Sequence, residues 1–434
     1  MRTAGLKYRS RAGRLIAPVS ISMVPILALP LAMACGSLVD IAPEPHTIDA
    51  SRRVFLEQAM IGATSDLYSA YDTFIVHAGV FTDEFFASSL DGAALREDLR
   101  EVDENSSASF AEREKTIYSG WWLPQHKASV SARVIQENIE KGEYEGATRD
   151  SPEYARAAMY EGFAKTWIAD AWCSAAFDGE GPEYTSEEVY SLAEQRFTRA
   201  LDVAGIEADV RSAALVGRAR VRLMMNDQAG ALADAGLVDP DFELAATYSS
   251  STIEQNNRVW WHNWGYGNIS VDYRAYSGLT LDDTGIPDPR VELVLDPIPA
   301  YDKGQPLWAA RKVASASSPL VLASGDEAQF IVAEIEGGAE AVSIINAARA
   351  RHGITVTWSP AGGDPDEIRD KVIDERRRTL FLEGTRMGDL RRYADRYALD
   401  LFPATSPQGD ATRGARCYPL PLVERANNPG LTLP

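Results

Sequence analysis

The sequence predicts a mainly α-helical protein with one loop-rich region in its second half. Apolar residues recur at helical spacing over about residues 51–240 and again in stretches between residues 326 and 393. Between them, residues 241–325 lose that spacing and are punctuated by Gly, Pro, Asp and Ser. The chain has 434 residues, of which 45% are hydrophobic and 24% charged, a composition typical of a globular protein with a sizeable core.

The first 34 residues have the order of a secretory signal. Five cations come before any acidic residue, and an uncharged apolar stretch follows from Leu15 to Ala34. Prolines inside that stretch disfavour a permanent membrane helix, because proline costs about 3 kcal/mol in a helix interior. We therefore expect residues 1–34 to be a cleaved signal peptide and residues 35–434 to be the mature body, with an uncleaved anchor as the alternative.

The signal ends at a cysteine that suits lipidation. The run Leu31-Ala32-Met33-Ala34-Cys35 resembles a bacterial lipobox, although Ala32 stands where leucine is usual. The resemblance implies that Cys35 receives a diacylglycerol and palmitate after cleavage. Several acyl chains hold a protein firmly on a membrane, whereas one chain does so only marginally. We expect a body that is tethered to a membrane through this lipid.

Helices in the first half are predicted to form packed hairpins. One helix spans Pro152–Trp172, and the next begins at Thr185, whose hydroxyl precedes Glu188 in a capping-box pattern. Helices over Ala208–Met225 and Gln228–Val238 are joined by a two-residue turn. Such hairpins are typical of tetratricopeptide-type units, which bury their apolar stripes by stacking and serve as scaffolds.

Net charge and motif content exclude several functions. The formal net charge is −20, and with no long basic run the chain would be repelled by nucleic acid. No Cys/His cluster, Ser/His/Asp signature or phosphate-binding loop stands out, so we predict no catalytic residue, metal or cofactor. Beyond Cys35, only Cys173 and Cys417 remain; they are either bridged or two independent buried thiols.

The loop-rich region holds the candidate binding residues. Six aromatic residues fall within positions 260–276, well above the 9% of the whole chain. Flat rings beside amide groups suit a sugar, which has C–H faces and hydroxyl edges. The alternative is that the rings anchor a long loop to the helical body. The predicted ligand contacts are Trp260, Trp261, Trp264 and Tyr266, with Asn263 and Asn268 as polar partners.

Helical spacing returns in two C-terminal stretches. The first, Asp326–Arg351, is divided by Gly337-Gly338, and the second runs over Asp366–Tyr393. The second carries acids and arginines at helical spacing, which we interpret as a structural ion network and not a catalytic carboxylate pair. Exposed pairs of this kind contribute about 0–1 kcal/mol each.

Several segments, taken in order, resemble the SusD/RagB family of outer-membrane nutrient-binding lipoproteins. The segment with the greatest diagnostic value runs from Asp374-Glu375-Arg376-Arg377-Arg378 to Asp389-Leu390-Arg391-Arg392. The other matching segments are the leader at 36–43, Asp288-Pro289-Arg290, the run at 324–334, Asn346-Ala347-Ala348-Arg349-Ala350-Arg351, the run at 418–424 and Asn428-Pro429.

The resemblance implies both architecture and function. It implies tetratricopeptide-like hairpins that form a right-handed scaffold (about 51–240), a loop-rich ligand face (about 241–325) and a C-terminal family region (about 326–434). It implies a protein on the outer membrane, facing outward, that binds an oligosaccharide or a peptide. It also implies a partner, a SusC-like TonB-dependent transporter, to which the nutrient is delivered. The family's diagnostic segments are structural, so they transfer no ligand-binding residue.

Two other functions fit parts of the sequence. A membrane-tethered tetratricopeptide-type adaptor that binds a protein would use the hairpins, but it leaves the aromatic region without a role. A glycoside hydrolase would need two carboxyl groups at a defined separation, which sequence spacing does not reveal. Both rank below nutrient binding.

Overall fold

The computed structural model describes residues 53–89, 92–105, 120–296 and 305–432. The signal segment 1–34 and the lipidation residue Cys35 lie outside these ranges. Within the described part, every helix is too short or too polar to cross a membrane.

The first half of the described chain is a stack of helices, which confirms the mainly α prediction. Helices α3 to α7 each pack against the next in sequence, and α1 packs against both α3 and α4. Packing between helices that follow one another in sequence is the hairpin arrangement expected from the sequence. The helices are α1 (Arg53–Phe81), α2 (Gly92–Asp98), α3 (Trp122–Glu140), α4 (Pro152–Ala171), α5 (Ser186–Leu201), α6 (Ala208–Met224) and α7 (Gln228–Ala235).

Helix α4 lies at the centre of this stack. It is buried on nearly every side, and its Trp167 stacks on Tyr71 of α1 with ring centroids 4.9 Å apart. Phe197 of α5 fits against Gly162 of α4 and Gly217 of α6, where any Cβ would overlap its ring. The small residues therefore allow three helices to approach one another around a single aromatic side chain.

Local signals in the sequence fix several helix ends. Thr185 and Glu188 form the predicted capping box at the start of α5. The α6–α7 turn places Asn226 at φ 65°, and the Asp227 side chain accepts a hydrogen bond from the Gly230 backbone N–H. Helix α7 ends at Ala235, three residues before the predicted end at Val238.

The loop-rich region is held together by short antiparallel strand pairs and single helical turns. Strand β1 at the end of α1 pairs with β5, so the aromatic segment is attached to the helical body. The pairs are β1 (Phe85–Ala87) with β5 (Ile269–Val271), β2 (Ser174–Ala175) with β3 (Tyr184–Thr185), β4 (Glu243–Ala246) with β8 (Leu320–Ser324), and β6 (Leu293–Leu295) with β7 (Trp308–Ala310).

The C-terminal part is helical, but one predicted helix is two. The stretch Asp366–Tyr393 is interrupted because Leu382 and Gly384 take left-handed conformations, with φ 58° and 65°. The Leu382 N–H donates to Glu84 Oε1 at 2.8 Å, so a contact from the end of α1 fixes the break. The loop-rich region holds the short helices α8 (Arg258–Trp260) and α9 (Tyr273–Tyr276), and the helices that follow are α10 (Gly325–Glu336), α11 (Gly338–Arg351), α12 (Pro365–Thr379), α13 (Arg386–Tyr397) and α14 (Leu422–Asn427).

The predicted ion network exists, but its centre is buried and not exposed. Glu375 is 0% exposed and accepts hydrogen bonds from Arg290 and Arg349. Arg376 and Asp389 form a second buried pair, with Nε and Oδ2 2.7 Å apart, which joins α12 to α13. Estimates for exposed pairs therefore do not apply to these residues, since an uncompensated charge inside a protein costs far more than one at its surface.

Cys173 and Cys417 form a disulfide, with Cα atoms 5.2 Å apart. The bridge joins the end of α4 to the C-terminal tail. The Cys173 N–H donates to the Tyr418 carbonyl at 2.7 Å, and the Tyr418 N–H donates to the Ala171 carbonyl at 2.9 Å. Of the two possibilities left open by the sequence, the bridged one is present.

Candidate ligand-binding cleft

Two cavities lie along opposite flanks of α1. The first cavity, of about 660 Å³, is enclosed by α1, the start of α4 and the loop 247–256. The second cavity, of about 700 Å³, lies between α1 and α3 and is closed by Glu254 and Arg258. Both volumes fall in the range of small-molecule sites.

Two tyrosines line the first cavity. Tyr68 of α1 and Tyr248 of the loop have ring centroids 6.4 Å apart at an interplanar angle of 47°. The Tyr248 hydroxyl donates to the Tyr68 carbonyl at 3.0 Å, which fixes the loop against α1. Burial raises the pKa of Tyr68 to about 12, so its phenol remains protonated well above neutral pH.

Polar and acidic groups complete the first cavity. Thr64 contributes a hydroxyl that lies 3.0 Å from the Tyr160 hydroxyl, and Asn256 and Gln255 contribute amides. The single arginine among the lining residues, Arg156, pairs with Glu207. The lining carboxylates are Glu57, Asp72, Glu153, Glu207 and Glu254. This surplus of carboxylates disfavours an anionic occupant.

Asp72 anchors the loop at the inner end of the first cavity. Its side chain is buried, and its Oδ2 accepts a hydrogen bond from the Arg258 N–H at 2.9 Å. Burial raises the pKa of this carboxyl to about 7, although the hydrogen bond from Arg258 opposes the rise. Asp72 thus positions the segment that leads into the aromatic turn.

Aliphatic and charged side chains together line the second cavity. Leu123 and Val130 of α3 line it and are 45% and 41% exposed. Lys127 also lines it, but its Nζ lies 3.0 Å from Asp66 Oδ1, so this charge is paired. Burial and the nearby Lys165 charge lower the pKa of His126 to about 3, which leaves its imidazole neutral.

The predicted aromatic residues form a compact turn beside the second cavity. Helix α8 continues into a π-helical turn, Trp261–Gly265, one residue after the first Trp of the cluster. The half-buried rings of Trp261 and Tyr266 lie nearly parallel, at 17°, with centroids 6.4 Å apart. Trp264 donates its indole N–H to the Ala310 carbonyl at 2.8 Å, and Trp260 packs against the main core.

The two predicted amides brace this turn from inside. Asn263 and Asn268 are each 1% exposed. Asn263 donates to the carbonyls of Ile269 and Trp308 and accepts from the Ala310 N–H, and Asn268 Oδ1 lies 3.0 Å from His262 Nδ1. Contact with a ligand hydroxyl would require these bonds to break, so the binding role of the two amides stays a prediction.

The first cavity was missed in the sequence because its parts are far apart. Tyr68 and Tyr248 are separated by 180 residues, and Thr64, Ser65 and Asp72 lie within what reads as an ordinary packed helix. Among the described residues that line the two cavities, none belongs to the predicted aromatic set. The sequence feature that could have indicated the first cavity is Tyr248, an aromatic residue at the start of the loop-rich region.

Residues 327–416 match the sequence model of the SusD family. The chain belongs to the SusD/RagB family. The matched segment of this SusD/RagB protein contains the buried ion network of α12 and α13 and none of the residues that line the first cavity. The match therefore identifies structural residues and assigns no ligand contact.

Solved structures share the fold over most of this SusD/RagB chain. A SusD superfamily protein from Bacteroides fragilis has a TM-score of 0.65 at 13% identity, covering 88% of this chain and 99% of the other. A SusD-like carbohydrate binding protein from Bacteroides vulgatus has a TM-score of 0.63 at 15% identity, covering 88% and 97%. No curated protein matches the sequence.

Proposed function

We propose that the protein captures a neutral oligosaccharide in the first cavity for import and performs no chemistry on it. The observation that carries this proposal is the 660 Å³ cavity in which Tyr68 and Tyr248 stand beside hydroxyl and amide groups. Tyrosine rings bind the C–H faces of a sugar, and the polar groups bind its hydroxyls. The surplus of carboxylates favours a neutral glycan over a sulfated or uronate-rich one.

Delivery to a membrane transporter completes the proposal. Family membership supports a role as an outer-membrane lipoprotein, anchored through Cys35 and facing outward, that passes its ligand to a SusC-like TonB-dependent transporter. One of the solved structures with the same fold bears the description of a carbohydrate binding protein, which agrees with a glycan ligand here. The half-buried rings of Trp261 and Tyr266 are proposed as additional contacts.

Filling the first cavity should abolish glycan binding. Ser65 is exposed on α1 and lines this cavity, so Ser65→Trp places an indole inside it without disturbing the core. We expect affinity for the best neutral oligosaccharide in a glycan array to fall at least about 100-fold, which corresponds to about 2.7 kcal/mol. Isothermal titration calorimetry measures the change.

Gln58→Trp is the matched control. Gln58 is exposed on the same helix but lies outside the residues that line either cavity. This variant should bind like the unmodified protein, and both variants should unfold at similar temperatures. Equal affinity of Ser65→Trp and Gln58→Trp would show that the ligand binds elsewhere. If the protein bound peptides more tightly than every glycan tested, its ligand would be a peptide and not an oligosaccharide.

A further inference from the structure

We propose that the two cavities form one continuous cleft and that the ligand is an extended oligosaccharide that crosses α1 from one cavity to the other. This inference rests on the proposed function and adds the length of the ligand to it. Ser69 of α1 and Glu254 of the loop line both cavities. The cavities therefore meet at these two residues, both of which are exposed.

The exposed face of α1 between the two cavities carries small residues. Gly62, Ser65 and Ser69 are exposed, and their spacing of three and four residues places them on one face of the helix. The position of a Cβ on Gly62 has open space around it. These three positions carry only small side chains, so among the described residues the one large side chain that lines both cavities is that of Glu254 in the loop.

The two cavities offer complementary surfaces to such a ligand. The first presents tyrosine rings, hydroxyls and carboxylates beside the exposed side chain of Ile61, and the second presents charged groups beside the exposed aliphatic side chains of Leu123 and Val130. A linear glycan carries hydroxyl edges and apolar C–H faces along its length, so both surfaces find a matching part of the same molecule.

Ligand length is the property that this geometry controls. Each cavity alone is large enough for a small molecule, so a short oligosaccharide binds in the first cavity without reaching the second. A longer oligosaccharide that is bound in the first cavity reaches the second cavity intramolecularly, so its far end is present there at a high effective concentration. Affinity should therefore rise with the number of sugar units until both cavities are occupied and then remain constant.

The test uses Val130→Trp, which fills the second cavity from an exposed position on α3. Val134→Trp is its matched control, since Val134 is also 41% exposed on α3 but lies outside the residues that line the second cavity. The probes are linear neutral oligosaccharides of two to eight units from the cello-, malto-, xylo- and manno- series. Calorimetry with the purified protein gives the affinity for each length, and thermal unfolding verifies that every variant is folded.

We expect the unmodified protein and Val134→Trp to bind the longer members of one series at least about tenfold more tightly than the shortest. Val130→Trp should bind the shortest member normally and lose this gain, whereas Ser65→Trp should bind none. A Val130→Trp profile that matches Val134→Trp at every length would overturn the continuous cleft but leave the proposed function intact. Failure of all four series to bind would contradict both proposals.

Discussion

Replacing Glu375 with alanine is expected to lower the free energy of unfolding by about 3–5 kcal/mol, because it removes the shared acceptor of a buried ion network. Arg290 Nη1 lies 2.8 Å from Glu375 Oε2, Lys371 Nζ lies 3.0 Å from Oε1, and Arg349 also donates to this carboxylate. Burial opposes ionisation of Glu375, but the Arg349 hydrogen bond and the charges of Arg290 and Lys371 hold its pKa below the ordinary value.

The change leaves three cations with fewer partners inside the protein. The lowered pKa also gives a sign for the pH dependence: the stabilisation by Glu375 is present above the unfolded-state pKa of about 4.3 and is lost as the pH falls through the folded-state value. The destabilisation by Glu375→Ala should therefore be largest near neutral pH and shrink in acid.

Urea denaturation at pH 7 and at pH 3 measures this effect. Arg369→Ala is the matched control, because Arg369 pairs with Asp366 and Asp370 at the surface of the same helix, α12. Each of these exposed ion pairs should contribute no more than about 1 kcal/mol to the free energy of unfolding. Similar losses for Glu375→Ala and Arg369→Ala would mean that the network is not a determinant of stability.

Removal of the disulfide is expected to cost about 3–5 kcal/mol. Cys173 and Cys417 are 244 residues apart, so the bridge restricts a very long loop in the unfolded chain, and the entropic gain grows with loop length. The variant Cys173→Ala/Cys417→Ala retains the backbone hydrogen bonds between this part of α4 and the tail, so the fold should persist at lower stability.

Guanidinium denaturation with and without dithiothreitol checks this prediction. The oxidised protein should lose stability when reductant is added, and the double alanine variant should be insensitive to it. A wild-type transition that does not shift on reduction would contradict a bridge between the two cysteines. A single Cys173→Ala variant should resemble the double variant, since either change removes the bond.

Much of the helical architecture could be predicted because its determinants are local. Apolar spacing indicated α4 to α6, and the Thr185 and Glu188 pair set the start of α5. The break between α12 and α13 could not be predicted, because Leu382 takes its left-handed conformation through a contact with Glu84, which is distant in sequence. The burial of Glu375 likewise depends on tertiary packing.

The candidate site was harder to predict for a related reason. Aromatic density indicated the turn around Trp261, and Tyr266 does lie beside that ring, but amides adjacent in sequence turned inward to brace the loop. The first cavity depends on Tyr68 and Tyr248, which only the folded chain brings together. Composition therefore indicated the aromatic region, whereas the first cavity could be found only from the three-dimensional arrangement of α1 and the loop 247–256.

Hydrogen–deuterium exchange with and without the tightest-binding neutral oligosaccharide tests the central claim most directly. Ligand capture in the first cavity predicts that amides in residues 57–72 and 247–256 become protected on binding, because these segments form its walls. The same incubation should leave the oligosaccharide uncleaved. Protection confined to other segments, or release of shorter sugars, would contradict capture in this cavity without chemistry.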